Sequence, residues 1–208
     1  MASNGDQEDV SKSGGNPSMT MRMTLGGIRT RFPSVEQLST HGLHDLITKE
    51  EEKSRVVILD VRPEDEYNVS HIDGAIRVDP DDRGEAVLEV VKGSLGDEQA
   101  PSDLSQPGES IQVTVVCYCS LGYRSCAMAQ KLTKARDSQS KGAADQIPYP
   151  NLTVYNLEGS LFKWANEQKP MVDKQNKPTV YAHPYNMVFR KLLQRNLRKY
   201  PSKESEKD

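Results

Sequence analysis

Runs of apolar residues alternate along the chain with segments whose apolar residues recur at helical spacing. The runs at residues 56–59 and 111–117 are mostly apolar and β-branched. Continuous runs of this kind are typical of strands that are covered on both faces of a parallel sheet. Shorter runs at residues 75–78 and 152–155 predict two further strands.

Helical spacing predicts helices between these strands and after them. Residues 33–47 predict one or two short helices, and the other predicted segments are residues 64–69, 86–91, 124–136 and 161–167. Ser34 is the candidate N-cap of the first segment, with Gln37 completing a capping box, and Pro63 suits the start of the second. Because strands and helices alternate throughout, the pattern predicts an α/β fold with a mainly parallel sheet.

Polar segments flank and interrupt this pattern. Residues 1–24 are rich in Ser, Gly, Asn and Asp, so we expect a disordered N-terminal tail. We interpret residues 93–110 and 137–150 as exposed insertions, because they are polar and lie between predicted elements. A second disordered tail is predicted for residues 201–208.

Residues 173–200 form a C-terminal extension with a pattern of its own. From residue 183 to residue 200, Leu192, Leu193 and Leu197 fall on one side and basic residues on the other. This pattern predicts an amphipathic basic helix. Such a helix either docks on the domain through its apolar stripe, which we expect here, or binds a membrane surface or an acidic partner.

The bulk composition excludes several classes of function. The formal net charge is −3 and the chain has three Phe and one Trp, so neither a broad basic surface nor a stacking platform indicates nucleic-acid binding. No run of about 18 apolar residues is present, so we expect no membrane span. The N-terminus resembles neither a secretory signal nor a transit peptide, and we therefore expect the protein to be cytoplasmic.

All three cysteines fall between positions 117 and 126. A disulfide framework would spread an even number of cysteines along the chain, so this clustering favours a reducing compartment and a thiol that does chemistry. Cys117 is in phase with the apolar residues of its predicted strand, and we assign it to the core. Cys126 is assigned to core packing or, alternatively, to a resolving thiol that pairs with Cys119 under oxidation. We expect no metal site from these thiols.

The loop between the strand at residues 111–117 and the following helix carries the candidate chemistry. Cys119 opens this loop, Gly122 lies inside it and Arg124 closes it. A strand, loop and helix in this order direct backbone N–H groups and the positive end of a helix dipole at one point. A cysteine at that point is expected to have a lowered pKa and to act as a thiolate nucleophile in sulfur or phosphorus chemistry.

Three pieces of the chain, in order, resemble the rhodanese-like domain family. Residues 57–78 resemble the first signature of the family, residues 119–125 its active-site loop, and residues 154–164 its last strand and helix. The resemblance covers roughly residues 30–172. It implies a three-layer α/β fold in which helices flank a central five-stranded, mainly parallel sheet. The loop is then expected at the carboxyl end of a central strand, where open α/β sheets bind ligands.

The resemblance implies a single-domain sulfurtransferase that needs neither a metal nor an organic cofactor. Cys119 would take sulfane sulfur from a small donor, thiosulfate or a persulfide, and pass it as a cysteine persulfide to cyanide or a thiol, including a protein thiol. The implied binding residues are Ser120, Leu121, Gly122, Tyr123, Arg124 and Ser125. Their N–H groups would cradle the persulfide or the oxygens of the donor, with Arg124 adding a fixed positive charge. We expect Asp60 and Arg62 to support this site from behind.

Other functions remain open from the sequence. The fold could serve as a catalytically silent module that binds a partner, and the loop could serve a phosphatase or an arsenate reductase. Phosphatases with a cysteine–arginine loop have one residue more between the two than this chain has between Cys119 and Arg124. A phosphatase also needs a general acid; Asp79, Asp81 and Asp82 are candidates, but their sequence fits a turn better. Family members efficient with thiosulfate often carry a second basic residue in the loop, which this chain lacks.

Overall fold

A five-stranded parallel sheet forms the centre of the computed structural model, which describes residues 18–49, 54–95, 112–142 and 152–201. The strands are β1 (Glu36–Leu38), β2 (Ser54–Asp60), β3 (Ile76–Arg77), β4 (Gln112–Tyr118) and β5 (Leu152–Leu157). Their order is β1-β5-β4-β2-β3, and each neighbouring pair is parallel. The predicted α/β fold with a five-stranded, mainly parallel sheet is confirmed.

Six α-helices occur among the described residues. They are α1 (Met19–Arg31), α2 (Thr40–Thr48), α3 (Glu64–Val69), α4 (Gly84–Leu95), α5 (Tyr123–Gly142) and α6 (Ser160–Asn166). A short antiparallel pair, β6 (Met171–Val172) and β7 (Pro178–Thr179), follows α6. The chain then forms two 3₁₀ helices, Phe189–Leu192 and Arg195–Leu197.

The middle strand β4 separates two hydrophobic cores. Val113, Val115 and Cys117 point to one face and join apolar residues of α4 and α5. Val116 and Tyr118 point to the other face and join residues of α2, α6 and the C-terminal extension. Successive side chains of a strand alternate between the two faces of a sheet, so this continuous apolar run fills both cores.

The predicted helix at residues 33–47 is wrong in its first part. Glu36–Leu38 form the edge strand β1, which pairs with β5. The helix α2 begins at Thr40, and its N-cap is Ser39, whose hydroxyl accepts the N–H of Gly42 at 2.9 Å. The proposed capping box of Ser34 and Gln37 therefore does not form. Strand β1 pairs with β5, which is distant in sequence, so the local pattern of residues does not predict this strand.

The predicted N-terminal tail is wrong for residues 19–24. Helix α1 begins at Met19, and the Ser18 hydroxyl caps it by accepting the N–H of Met21 at 3.2 Å. Met21 and Leu25 are buried in the core on the second face of the sheet, because they recur at helical spacing. The rest of this predicted tail, residues 1–17, lies outside the described residues.

Most of each predicted insertion also lies outside the described residues. Residues 93–95 of the first predicted insertion are helical, since α4 continues to Leu95. Residues 137–142 of the second predicted insertion are also helical, since α5 continues to Gly142. These parts of the two predictions are wrong. Helix α4 ends at Leu95, which packs against the core, whereas α5 runs on beyond its last apolar residue, Ala135. Of the predicted C-terminal tail, residues 202–208 lie outside the described residues.

The predicted amphipathic α-helix at residues 183–200 is wrong, although the apolar side of this segment docks as expected. Leu192, Leu193 and Leu197 are buried in the core, but the backbone forms the two 3₁₀ helices with an extended residue between them. Side chains replace helical hydrogen bonds at this break. Asn166 donates to the Leu192 carbonyl at 2.8 Å, and Arg198 donates to the Leu193 carbonyl at 2.7 Å.

Candidate active site

The loop that follows β4 lies at the carboxyl end of the middle strand, and the start of α6 holds it from behind. The N–H of Leu161 donates to the Cys119 carbonyl at 3.0 Å, and the N–H of Phe162 donates to the Ser120 carbonyl at 3.1 Å. The hydroxyl of Ser160 accepts the N–H of Cys119 at 3.2 Å. These three bonds make α6 as important as β4 for the position of Cys119.

The sulfur of Cys119 is held as a hydrogen-bond acceptor. The N–H of Gly122 donates to Sγ at 3.1 Å, and this turn requires a φ of +121° at Gly122, which favours glycine. Burial opposes ionisation of the thiol. The positive charge of Arg124 and hydrogen bonds from the backbone N–H groups of Ser125 and Gly122 nevertheless bring the pKa of Cys119 below its ordinary value. The loop therefore stabilises a thiolate.

Arg124 is bound by a carboxylate from another element. Its guanidinium donates to both carboxylate oxygens of Glu66, at 2.8 and 3.0 Å, and to the Ser120 hydroxyl at 2.9 Å. The Ser120 hydroxyl in turn donates to Glu66 at 2.6 Å. Burial opposes ionisation of Glu66, but its bonds with Arg124 and Ser120 lower the pKa of this carboxyl. The positive charge beside Cys119 is thus paired with a negative one.

Ser125 faces the interior of the protein, at the start of α5. Its hydroxyl donates to the side-chain oxygen of Asn156 on β5 at 2.6 Å. The amide of Asn156 donates to the side chain of Gln37 on β1 at 2.7 Å, so a polar network ties the loop to the edge of the sheet. Fully paired buried networks of this kind rigidify their surroundings.

A pocket of about 290 Å³ opens above the sulfur. Cys119, Ser120, Leu121, Tyr123 and Arg124 line it from the loop side. Because Cys119 is buried, a small molecule would reach its sulfur through this pocket. The two predicted binding residues that do not line the pocket, Gly122 and Ser125, instead lower the pKa of Cys119 through their backbone N–H groups.

The opposite wall of the pocket comes from the two ends of the described chain. Thr24 and Ile28 of α1 form one part of it, and Tyr185 and Phe189 of the C-terminal extension form the other. The guanidinium of Arg124 lies over the Tyr185 ring, 4.6 Å from its centroid. Since these four residues belong to no predicted site, sequence analysis missed this wall entirely.

The two residues expected to support the site form a buried ion pair behind it. Arg62 donates to Asp60 from Nε at 2.7 Å and also donates to the Ser70 carbonyl at 2.6 Å. Asp60 accepts the hydroxyl of Tyr118, the residue directly before Cys119, at 2.7 Å. Among the described residues, Tyr118 therefore connects this pair to the loop. Arg62 does not pair with Glu66, whose carboxylate binds Arg124 instead.

Glu66 is a further site residue that sequence analysis missed. It lies on α3, in the segment that resembles the first rhodanese signature, and it is buried although it is charged. Buried carboxylates are almost always paired. The signal for Glu66 in the sequence is the group of acids on α3, any of which could pair with Arg124.

The other two cysteines do not share the environment of Cys119. Both are buried in the core on the first face of the sheet, as predicted. Burial raises the pKa of the Cys126 thiol to about 11 and that of the Cys117 thiol still further. Within the described parts of the chain, no group of three or more His, Cys, Asp or Glu side chains is arranged to hold a metal ion.

The fold and the loop define an α/β protein with a cysteine and an arginine at the carboxyl end of its middle strand. The chain belongs to the rhodanese-like domain family, whose model matches residues 42–167. This confirms the resemblance given by the sequence. No curated protein sequence matches the chain significantly.

Several solved structures resemble the chain at low identity. A thiosulfate sulfurtransferase from Pseudomonas aeruginosa is 20% identical over 76% of this chain and 23% of its own, with a TM-score of 0.44. A Rhodopseudomonas palustris protein of unknown function, described as a possible tyrosine phosphatase, is 21% identical over 80% of this chain and 98% of its own, with a TM-score of 0.38. A Saccharomyces cerevisiae homolog of single-domain rhodanese and the Cdc25 phosphatase catalytic domain is 20% identical over 64% and 81%, with a TM-score of 0.45.

This chain spans less than a quarter of the length of the Pseudomonas aeruginosa enzyme. Among the helices of the described residues, none has the length and apolar character that crossing a membrane requires.

Proposed function

We propose that this protein is a sulfurtransferase that carries sulfane sulfur as a persulfide on Cys119. One observation carries the proposal: the Cys119 sulfur accepts a backbone N–H at 3.1 Å beside a guanidinium, at the base of a pocket. A thiolate in this position is a nucleophile, and the same N–H group would stabilise the negative charge that the persulfide retains.

The reaction has two halves. In the first, the Cys119 thiolate attacks the outer sulfur of the donor, a new S–S bond forms, and the bond between that sulfur and the leaving group breaks with its electron pair on the leaving group. With thiosulfate the leaving group is sulfite. In the second half, an acceptor thiolate or cyanide attacks the outer sulfur and Cys119 leaves as a thiolate, so the enzyme is restored.

A phosphatase or an arsenate reductase is the less favoured alternative. Phosphate ester hydrolysis needs a proton donor for the leaving group. Among the described residues that line the pocket, none is an Asp, Glu or His, and Glu66 is held ionised by Arg124. The backbone N–H groups of Asp79 and Asp81 are bound by neighbouring carboxylates, which is the arrangement of a turn.

Mass spectrometry of the protein after mixing with a sulfane-sulfur donor tests the proposal. We expect Cys119 to gain the mass of one sulfur atom from thiosulfate or an organic thiosulfonate, and to lose it again on addition of a thiol. Cys119→Ser should abolish the gain. Cys126→Ser is the matched control and should keep it, because Cys126 is a buried thiol whose pKa is raised to about 11.

Two results would contradict sulfur transfer. The absence of any sulfur adduct on Cys119 with all donors would leave the catalytically silent module as the better explanation. Turnover of an aryl phosphate that depends on Cys119 would favour the phosphatase.

A further inference from the structure

The wall of the pocket opposite the loop is built outside the part of the chain that matches the family. The match covers residues 42–167, whereas Thr24 and Ile28 precede it and Tyr185 and Phe189 follow it. Three of these four side chains are large and apolar or aromatic. This chain therefore adds to its catalytic loop a surface of its own, directly above the reactive sulfur.

The C-terminal part of this wall has a fixed arrangement. Tyr185 and Phe189 stack with their ring centroids 6.1 Å apart, and the N–H of Tyr185 donates to the His183 ring at 3.2 Å. Tyr185 adopts a φ of +62°, which is unfavourable for a residue with a side chain. Such strain persists only where the surrounding contacts impose it, and it is common at ligand-binding sites.

The charges around the pocket disfavour a small dianion. Among the described residues that line the pocket, Arg124 is the only one with a basic side chain, and both of its carboxylate contacts are with Glu66. With the Cys119 thiolate in place, no net positive charge is left for the two negative charges of thiosulfate. An apolar wall cannot replace the water that such an ion would lose on binding.

We propose that this pocket selects organic sulfane-sulfur donors whose leaving group carries an apolar part of about the size of one aromatic ring, in preference to thiosulfate. The inference rests on the proposed function, whose substrate class it names. A volume of about 290 Å³ is at the lower end of the range for small-molecule pockets, which suits one ring and its sulfur atoms. Arg124 and Phe189 already cover the Tyr185 ring, so Phe189 and Ile28 offer the apolar surface against which such a group packs.

The chemistry balances without a further reagent. The Cys119 thiolate attacks the terminal sulfur of a thiosulfonate anion, forming the S–S bond of the persulfide. The bond between the terminal sulfur and the sulfonyl sulfur breaks, and its electron pair leaves with the sulfinate. One thiolate and one thiosulfonate anion thus give one persulfide anion and one sulfinate anion, with no change in total charge.

The test measures persulfide formation on Cys119 in a single turnover with no acceptor present. The donors are benzenethiosulfonate, methanethiosulfonate and thiosulfate, and each rate constant is divided by that of free cysteine with the same donor, which removes differences in intrinsic reactivity. We expect the corrected rate to be at least about tenfold higher for the benzene donor than for the methane donor, equivalent to about 1.4 kcal/mol, and to be lowest for thiosulfate. The corrected rates with benzyl persulfide and methyl persulfide are compared in the same way, and we expect the benzyl donor to be faster.

Variants of the wall keep the inference testable. Phe189→Ala should lower the benzene-to-methane ratio by about tenfold through loss of the ring contact. Thr24→Arg, on the half-buried face of α1, should shift the preference toward thiosulfate by adding a positive charge. Val188→Ala is the matched control, because Val188 is 74% exposed and does not line the pocket, and it should keep the wild-type ratio.

The failures of the two proposals are distinguishable. Equal corrected rates for the three donors, or thiosulfate as the fastest, would overturn the pocket inference and leave sulfur transfer intact. If Thr24→Arg left the rate with thiosulfate unchanged relative to the benzene donor, the pocket inference would also be overturned, even if Phe189→Ala failed to fold. No persulfide from any donor would overturn the proposed function itself.

Discussion

Three thiols that lie close together in the chain occupy very different environments. Burial raises the pKa of Cys126 to about 11, although Gln37 lies within hydrogen-bonding distance of its sulfur, and it raises the pKa of Cys117 further. Cys119 is also buried, but Arg124 and the loop hydrogen bonds outweigh that burial. A reagent that reacts with thiolates near neutral pH is therefore expected to report on position 119 alone.

Replacing Arg124 with Met should raise the pKa of Cys119. The guanidinium charge is the largest of the influences that favour the thiolate, so its loss leaves only the loop hydrogen bonds to oppose burial. We expect the pH midpoint of Cys119 alkylation by iodoacetamide to move upward, and sulfur transfer at neutral pH to slow by about 100-fold. Peptide mass spectrometry across a pH series measures the midpoint.

This substitution needs two comparisons. It would leave Glu66 buried without its cation, which destabilises a protein, so the shift is also measured in a Glu66→Gln background. Arg29→Met removes a guanidinium whose partner is Glu158, 2.6 Å away at the surface, and should leave the midpoint unchanged. A midpoint that stays in place without Arg124 would mean that the guanidinium only maintains the shape of the loop.

The positions of Cys119 and Arg124 could be predicted because one short segment of sequence contains them both. Glu66 and Tyr185 could not be assigned, because each reaches Arg124 from an element distant in sequence. Side-chain pairing between distant elements depends on the packing of the whole sheet, which one sequence does not specify.

At the scale of elements, the approach of α4 to α5 depends on a missing side chain. A Cβ atom at Gly84 would lie 2.3 Å from the carbonyl oxygen of Lys131 on α5. Gly84→Ala should therefore push the helices apart and lower the free energy of unfolding by about 1–3 kcal/mol. Urea unfolding followed by circular dichroism measures the change.

Gly93 provides the matched control on the same helix. A Cβ atom there meets nothing within 4 Å, so Gly93→Ala should stabilise the protein by up to about 1 kcal/mol through helix propensity alone. Equal effects of the two substitutions would contradict the close contact at Gly84.

The elements that the sequence predicts best are those buried on both faces. β2 and β4 contain apolar runs whose short length and β-branched residues favour a strand over a helix. The predictions for β1 and the C-terminal extension were wrong because contacts with distant residues, and not a local pattern, set their conformation. The pairing of β1 with β5 and the side-chain bonds of Asn166 and Arg198 decide their backbone conformation, and these partners are distant in sequence.

At the scale of the whole molecule, the segments on either side of the family match belong to the core. Met21 and Leu25 precede the matched residues, Leu193 and Leu197 follow them, and all four share one hydrophobic core with Trp164 of α6. The domain of this protein is therefore larger than its family signature.

Leu193→Ala should destabilise the whole protein by about 2–5 kcal/mol, because the Leu193 side chain is fully buried and its loss leaves a cavity. Trp164 is the only tryptophan of the chain and lies in the same core, so its fluorescence in urea follows the transition. Met187→Ala is the control, since Met187 is exposed, and should change the stability by less than about 0.5 kcal/mol. Similar midpoints for the two variants would show that the extension is only loosely attached.

The origin of the pocket wall affects how relatives of this protein should be compared. An alignment confined to residues 42–167 contains Cys119 and Arg124 but none of the four residues that face them across the cavity. If the proposed function holds, two proteins could agree at both positions and still prefer different sulfur donors. Such proteins would have to be grouped by substrate preference from the sequences that flank the domain, and an alignment of the domain alone leaves these out.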